Sequence, residues 1–133
     1  LIYWLESGAK TPTQNCLVTP LEDLRVTCNQ TLYLGLASLE GHYAIYEAGA
    51  FYSRHLDAFR DDDSRVLSVV LYLNDHWQQG DGGELVLYAP EAVIIEPMGG
   101  TLVVFLSRDI EHEVLESHTM RKSYVGWFKR NRL

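Results

Sequence analysis

The spacing of apolar positions changes once along the chain, near Gly35. Before it, Leu21, Leu24, Cys28 and Leu32 fall at helical spacing. Thr19 suits an N-cap and Pro20 the first helical position, while Glu22 and Asp23 sit in the first turn, where the helix dipole favours acidic side chains. The pattern predicts a helix from about Pro20, a loop over 11–15, and the remnant of an opening element over 1–10. The apolar stripe reads as core packing.

After Gly35 the period becomes two. Residues 39–46 alternate, with His42, Ala44 and Tyr46 on one side and Tyr43 and Ile45 on the other. Further strands are predicted over 51–57, 65–74, 84–88, 92–96, 101–106, 112–115 and 121–129. Asp81-Gly82-Gly83 and Pro97-Met98-Gly99-Gly100 supply turn chemistry between some of them. In 65–74, Val66, Ser68, Val70 and Tyr72 share one face and Leu67, Val69, Leu71 and Leu73 the other. Both faces are mostly apolar, so this strand should be covered by the interior on one side and the helix on the other. The same parity turns the Tyr72 hydroxyl inward, where it needs a partner. One helix followed by many short strands predicts a mainly β jelly roll or barrel with a supporting N-terminal helix.

Composition narrows the class. A chain of 133 residues with 47% hydrophobic and 22% charged residues fits a single soluble globular domain, 1–133. It begins at Leu1 without a Met, so an upstream segment is expected to be missing. The net charge of −7 argues against a surface built to neutralise nucleic-acid phosphates. Lys129, Arg130 and Arg132 make only a small basic, solvated end. No apolar run reaches membrane-spanning length, and Cys16 and Cys28 read as reduced thiols, although they could pair if close. The expectation is a cytoplasmic protein without a nucleic-acid or membrane partner.

His55-Leu56-Asp57 carries the candidate chemistry. Residues two apart in a strand project to one face, so His55 and Asp57 can reach one metal ion. His112, 57 positions later, can close a three-point set that leaves the ion's other positions open, an arrangement characteristic of non-heme Fe(II) oxygenases. A lone His-x-Asp is more often a surface or hydrogen-bonded pair. It gains weight here because a second His and then Arg121 open late strands. Arg121 shares a face with Ser123, Val125 and Trp127 and should point inward. A buried guanidinium without an anion is costly, and its planar fork suits a carboxylate. His42 reads as a hydrogen-bonded core histidine, His76 as part of a loop that could rim the pocket, and His118 as exposed. Asp61-Asp62-Asp63 reads as a solvated loop, and Gly82-Gly83 and Gly99-Gly100 as turn glycines rather than phosphate loops.

From about Tyr33 onward the chain resembles the Fe(II)- and 2-oxoglutarate-dependent oxygenases of the prolyl 4-hydroxylase type. It is most similar to their bacterial SM-20-like branch, related to the hypoxia-inducible-factor prolyl hydroxylases. The matching segments are Tyr43-Ala44-Ile45-Tyr46, Tyr52 through Asp57, Leu71-Tyr72-Leu73-Asn74, Gly82-Gly83-Glu84-Leu85, His112-Glu113-Val114 and Arg121 through Phe128. The segment between Tyr46 and His55 is one residue shorter than in the animal relatives. The resemblance implies a double-stranded β-helix form of the jelly roll. It also implies His55, Asp57 and His112 as iron ligands, and Arg121 with Tyr72 as the grip on the far carboxylate of 2-oxoglutarate. Tyr46 is implied near that cosubstrate, Val70, Leu85, Val125 and Trp127 as pocket wall, and Tyr52 and Arg65 as contacts to a peptide substrate.

The activity so implied uses dioxygen and converts 2-oxoglutarate to succinate and CO2 while hydroxylating a C–H bond, with ascorbate as an optional reductant. The carboxylate ligand Asp57 argues for hydroxylation over halogenation. A prolyl residue in a protein, for example a component of translation, is the implied target. The alternatives are a hydroxylase of a free amino acid or other small molecule, a non-catalytic metal or 2-oxoglutarate sensor, and a structural domain whose His/Asp/His set is incidental.

Overall fold

The computed structural model describes residues 1–5, 11–58 and 64–131, and in it the helix starts at Pro12, not Pro20. Helix α1 (Pro12–Leu32) is opened by Thr11, whose Oγ1 accepts from the Gln14 amide at 3.1 Å. Gln14 Oε1 accepts from the Thr11 amide at 2.9 Å, completing a capping box with Pro12 in the first turn. Residues 11–15 are thus a helix start and not a loop. Pro20 lies inside the helix and deprives the Cys16 carbonyl of its donor. Both residues are exposed, so water can take that carbonyl. The buried stripe is Leu21 and Cys28, flanked by partly buried Leu17 and Leu24. Leu32, expected to extend it, is exposed in the last turn.

Among the described residues nine strands accompany this helix: β1 (Ile2–Leu5), β2 (Ser38–Tyr46), β3 (Tyr52–His55), β4 (Arg65–Tyr72), β5 (Leu85–Tyr88), β6 (Ala92–Ile95), β7 (Leu102–Leu106), β8 (Glu111–Val114) and β9 (Arg121–Lys129). They form two antiparallel sheets, ordered β1-β2-β9-β4-β7 and β3-β8-β5-β6, the two layers of a jelly roll. The described part of the opening element is thus an edge strand paired with β2. Residues 6–10, the Asp61-Asp62-Asp63 loop and Arg132 lie outside the described residues. Cys16 is exposed and Cys28 buried, both as free thiols. Among the described residues no helix is long and apolar enough to cross a membrane.

Alternation in β4 and β9 divides the core in two. Leu67, Val69, Tyr124 and Phe128 face the helix and pack with Leu21, Cys28 and Leu36. Val70 and Tyr72 face the other sheet and pack with Leu85, Leu87, Val103, Phe105 and Val114. Full burial of side chains of this size stabilises by about 1.5–3 kcal/mol each. The alternation fails at two predicted places. A register shift between Arg65 and Leu67 sends Val66 to the helix-side cluster, and Leu73, beyond the end of β4, is exposed. Gly41 shows how tightly the sheet is filled, since a Cβ there would lie 2.1 Å from the Tyr124 hydroxyl oxygen.

Candidate metal and carboxylate site

Between the two sheets lies a cavity whose walls come from β2, β4 and β9 on one side and β3, β5 and β8 on the other. His55 and His112 sit directly opposite each other in the β3–β8 pairing, with ring centroids 4.2 Å apart. His55 Nδ1 contacts the Ser53 carbonyl at 2.7 Å and His112 Nδ1 the Ile110 carbonyl at 3.2 Å. A carbonyl accepts, so each Nδ1 carries the proton and each Nε2 is the free ligand atom. Both Nε2 atoms approach Asp57 Oδ1, at 3.4 Å from His55 and 3.1 Å from His112.

Asp57 does not reach this point by strand parity. β3 ends at His55, and Asp57 lies in the bend beyond it, held by the Ser68 hydroxyl, which donates to Oδ2 at 2.6 Å. Burial alone would raise the Asp57 carboxyl, but the polar contacts with the His112 and His55 rings and the Ser68 hydrogen bond outweigh it and hold the group well below the usual carboxylate range. Burial disfavours a charged His55, yet Asp57 and the Ser53 carbonyl overcome this and its pKa is raised. The three ligand atoms lie within 4.8 Å of one another, so they could hold one metal ion. Two imidazole nitrogens and one carboxylate oxygen suit a first-row divalent ion with open positions.

The second half of the site is cationic. Arg121 is 4% exposed and projects from β9 into the cavity. Its Nε donates to the Gly83 carbonyl at 2.7 Å and its Nη2 to the Tyr72 hydroxyl at 3.2 Å. No carboxylate among the described residues pairs with it. Burial pushes the Tyr72 phenol up to about 12, against the pull of Arg121, so it keeps its proton. With its oxygen accepting from Arg121, that proton is left for an incoming acceptor. Ser123, buried on the same face of β9, has a hydroxyl without a partner among the described residues. Gly83 is more than a turn residue: at φ +74, a Cβ there would come within 2.8 Å of Arg121 Cδ.

Tyr46, Val70, Leu85, Val125 and Trp127 all line the cavity, and Tyr72 is fully buried beside Arg121. Tyr52 and Arg65 reach the same cavity from its rim. The Tyr52 ring packs 4.1 Å from that of His55, and the Arg65 guanidinium lies 3.8 Å over Trp127 while donating to Glu40 and to the Asp57 carbonyl. His42 departs from expectation. It is a cavity-wall ring between Trp4 and Trp127, and its Nδ1 finds no hydrogen-bond partner among the described residues. Burial lowers its pKa. His76 is not part of this rim either, because with Trp77 it lines a separate surface depression beside Lys122. His118 is exposed near Gly80.

A family model described as the 2OG-Fe(II) oxygenase superfamily matches residues 41–129. A solved Pseudomonas putida prolyl-4-hydroxylase is 46% identical, with a TM-score of 0.92 over 98% of this chain and 72% of that one. A Trichoplax adhaerens prolyl hydroxylase, solved with a peptide fragment of the hypoxia-inducible-factor oxygen degradation domain, is 28% identical. Its TM-score is 0.85 over 96% of this chain, which spans 61% of that protein. A RmlC-like cupin from Desulfovibrio desulfuricans shares the fold alone, at 9% identity and a TM-score of 0.50 over 96% of this chain and 80% of that one.

Proposed function

The chain belongs to the 2OG-Fe(II) oxygenase superfamily, and on that premise we propose that it hydroxylates a prolyl residue of a protein or peptide. His55, Asp57 and His112 would hold Fe(II), and Arg121, Tyr72 and Ser123 would take the far carboxylate of 2-oxoglutarate. When bound, the metal and cosubstrate supply oxidative decarboxylation of 2-oxoglutarate to succinate and CO2, coupled to hydroxylation of a C–H bond.

The observation that carries the proposal is Arg121. A guanidinium this buried, with two neutral partners and no carboxylate among the described residues, calls for an anion from outside the chain. Its planar donors, the Tyr72 proton and the Ser123 hydroxyl together offer a carboxylate several hydrogen bonds. Val70, Leu85, Val114 and Val125 make the surrounding wall apolar, which excludes water from the reacting groups. His55 and His112 keep their Nε2 lone pairs turned to the ion because backbone carbonyls fix their tautomers.

The prolyl target is supported by prolyl hydroxylases among the relatives, one of them solved with a peptide. Tyr52, half exposed beside His55, presents an aromatic face at the mouth, and Arg65 offers a charged rim near Trp127. Anaerobic titration with Fe(II) and 2-oxoglutarate should give the visible charge-transfer band of a chelated cosubstrate. Succinate should then be released with proline-containing peptides and not with free amino acids. Absence of the band removes the cosubstrate assignment, and release with free amino acids alone removes the prolyl-protein target.

A further inference from the structure

Asp57 has two carboxylate oxygens, and the fold treats them differently. Oδ1 faces the two imidazoles, whereas Oδ2 accepts from Ser68 Oγ at 2.6 Å. Ser68 Oγ in turn lies 2.8 Å from Ser107 Oγ. Each hydroxyl has one proton. Because the Ser68 proton goes to Asp57, the Ser107 proton must go to Ser68, which gives the pair a single direction, Ser107 to Ser68 to Asp57. Both serines are completely buried. They sit in elements that do not otherwise belong to the metal set: Ser68 in β4, and Ser107 just after β7.

The anchor of this relay is rigid. The Ser107 amide donates to the Val66 carbonyl at 3.0 Å, and the Ser107 carbonyl accepts from the Ala58 amide at 3.3 Å, immediately after Asp57. Ser107 therefore holds both the bend that carries Asp57 and, through Ser68, the carboxylate on it. Polarised hydroxyl chains in a dry interior strengthen along their length and favour an ionised acceptor.

We infer that Ser68 and Ser107 are positioning residues that commit Asp57 to the metal through Oδ1 alone. One oxygen held back keeps the aspartate a single-point ligand, and the coordination positions beside it stay open for cosubstrate and dioxygen. This rests on the metal reading above. It adds a requirement the three ligands alone do not impose, namely that a hydroxyl from the opposite sheet sets their geometry.

The test is Co(II) binding to the whole chain, followed by the visible absorption of the bound ion. Ser68→Ala is expected to weaken binding roughly 10- to 100-fold, the usual cost of losing an outer partner of a metal ligand, and to change the absorption as the carboxylate turns. Ser107→Ala keeps the Ser68 bond but frees its hydroxyl to rotate, and should give a smaller loss in the same direction. It also covers the case in which Ser68→Ala fails to fold, which circular dichroism of the metal-free variants will show. A folded variant of either kind with affinity within twofold of the unsubstituted protein and an unchanged spectrum overturns the inference. Equal binding by the unsubstituted protein and Asp57→Ala defeats the metal reading instead, so the two failures are distinguishable.

Discussion

The two faces of β9 share one backbone and do opposite work. Arg121, Ser123, Val125 and Trp127 look into the cavity, while Tyr124 and Phe128 look toward α1. The helix-side face is closed and apolar apart from the buried Tyr124 hydroxyl. The cavity face buries a guanidinium, a serine hydroxyl and an indole N–H, the last two without partners among the described residues. Unpaired buried polar groups cost about 1–3 kcal/mol each, so the cavity face is held at a cost that the helix-side packing offsets. Stability and chemistry are separated here by nothing more than odd and even positions.

Substitutions on each face can break this division. His112→Ala removes one of three donors and should reduce the charge-transfer band and turnover to background. Retention of both would dissolve the metal assignment. Phe128→Ala, on the helix side, should cost about 3–5 kcal/mol, read as a lower urea midpoint, while the protein that stays folded binds metal normally. Reduced metal affinity in that folded fraction would mean that the faces are coupled. Arg121→Ala removes charge-assisted hydrogen bonds worth roughly 1.5–3 kcal/mol. The 2-oxoglutarate affinity should fall about ten- to a hundredfold, with Fe(II) binding alone unaffected.

A pair of tyrosines gives a finer comparison. Tyr72→Phe, on the cavity side, should weaken 2-oxoglutarate about fivefold, the worth of one hydrogen bond near 1 kcal/mol. Tyr124→Phe deletes a buried helix-side hydroxyl that has no partner among the described residues. It should leave 2-oxoglutarate affinity unchanged and raise stability by up to about 1 kcal/mol. If the two variants behave alike in both assays, parity is not what divides the roles.

Much of this was legible because alternation is a strict rule inside paired strands. The inward turn of Tyr72 and Arg121 followed from period two, and both hold where β4 and β9 are regular. The reading failed where regularity stops. Asp57 lies past the end of β3, so its approach to His55 depends on a bend and on Ser68, which no local pattern announces. Val66 changes sides because the register slips beside Arg65. Two prolines competed for the helix start, and Thr11 with Gln14 formed a capping box whose signature was present but outweighed by the stripe beginning at Leu21. Gly83 is the turn glycine expected but does more than turn the chain, and His42 lacks the hydrogen bond expected of it, for a different reason. Their importance comes from what lies against them across the sheet, Arg121 in one case and two indoles in the other.

The placement of donors on opposite layers has a mechanical consequence. The two histidines hang on the smaller sheet, while the arginine and tyrosine that would take a carboxylate stand on the larger one. A molecule gripped at both ends would rivet the layers together, so the jelly roll should melt at a higher temperature as cosubstrate rises. Slackening between the layers, by heat or by loss of that rivet, would part the two halves of the grip before either sheet came undone.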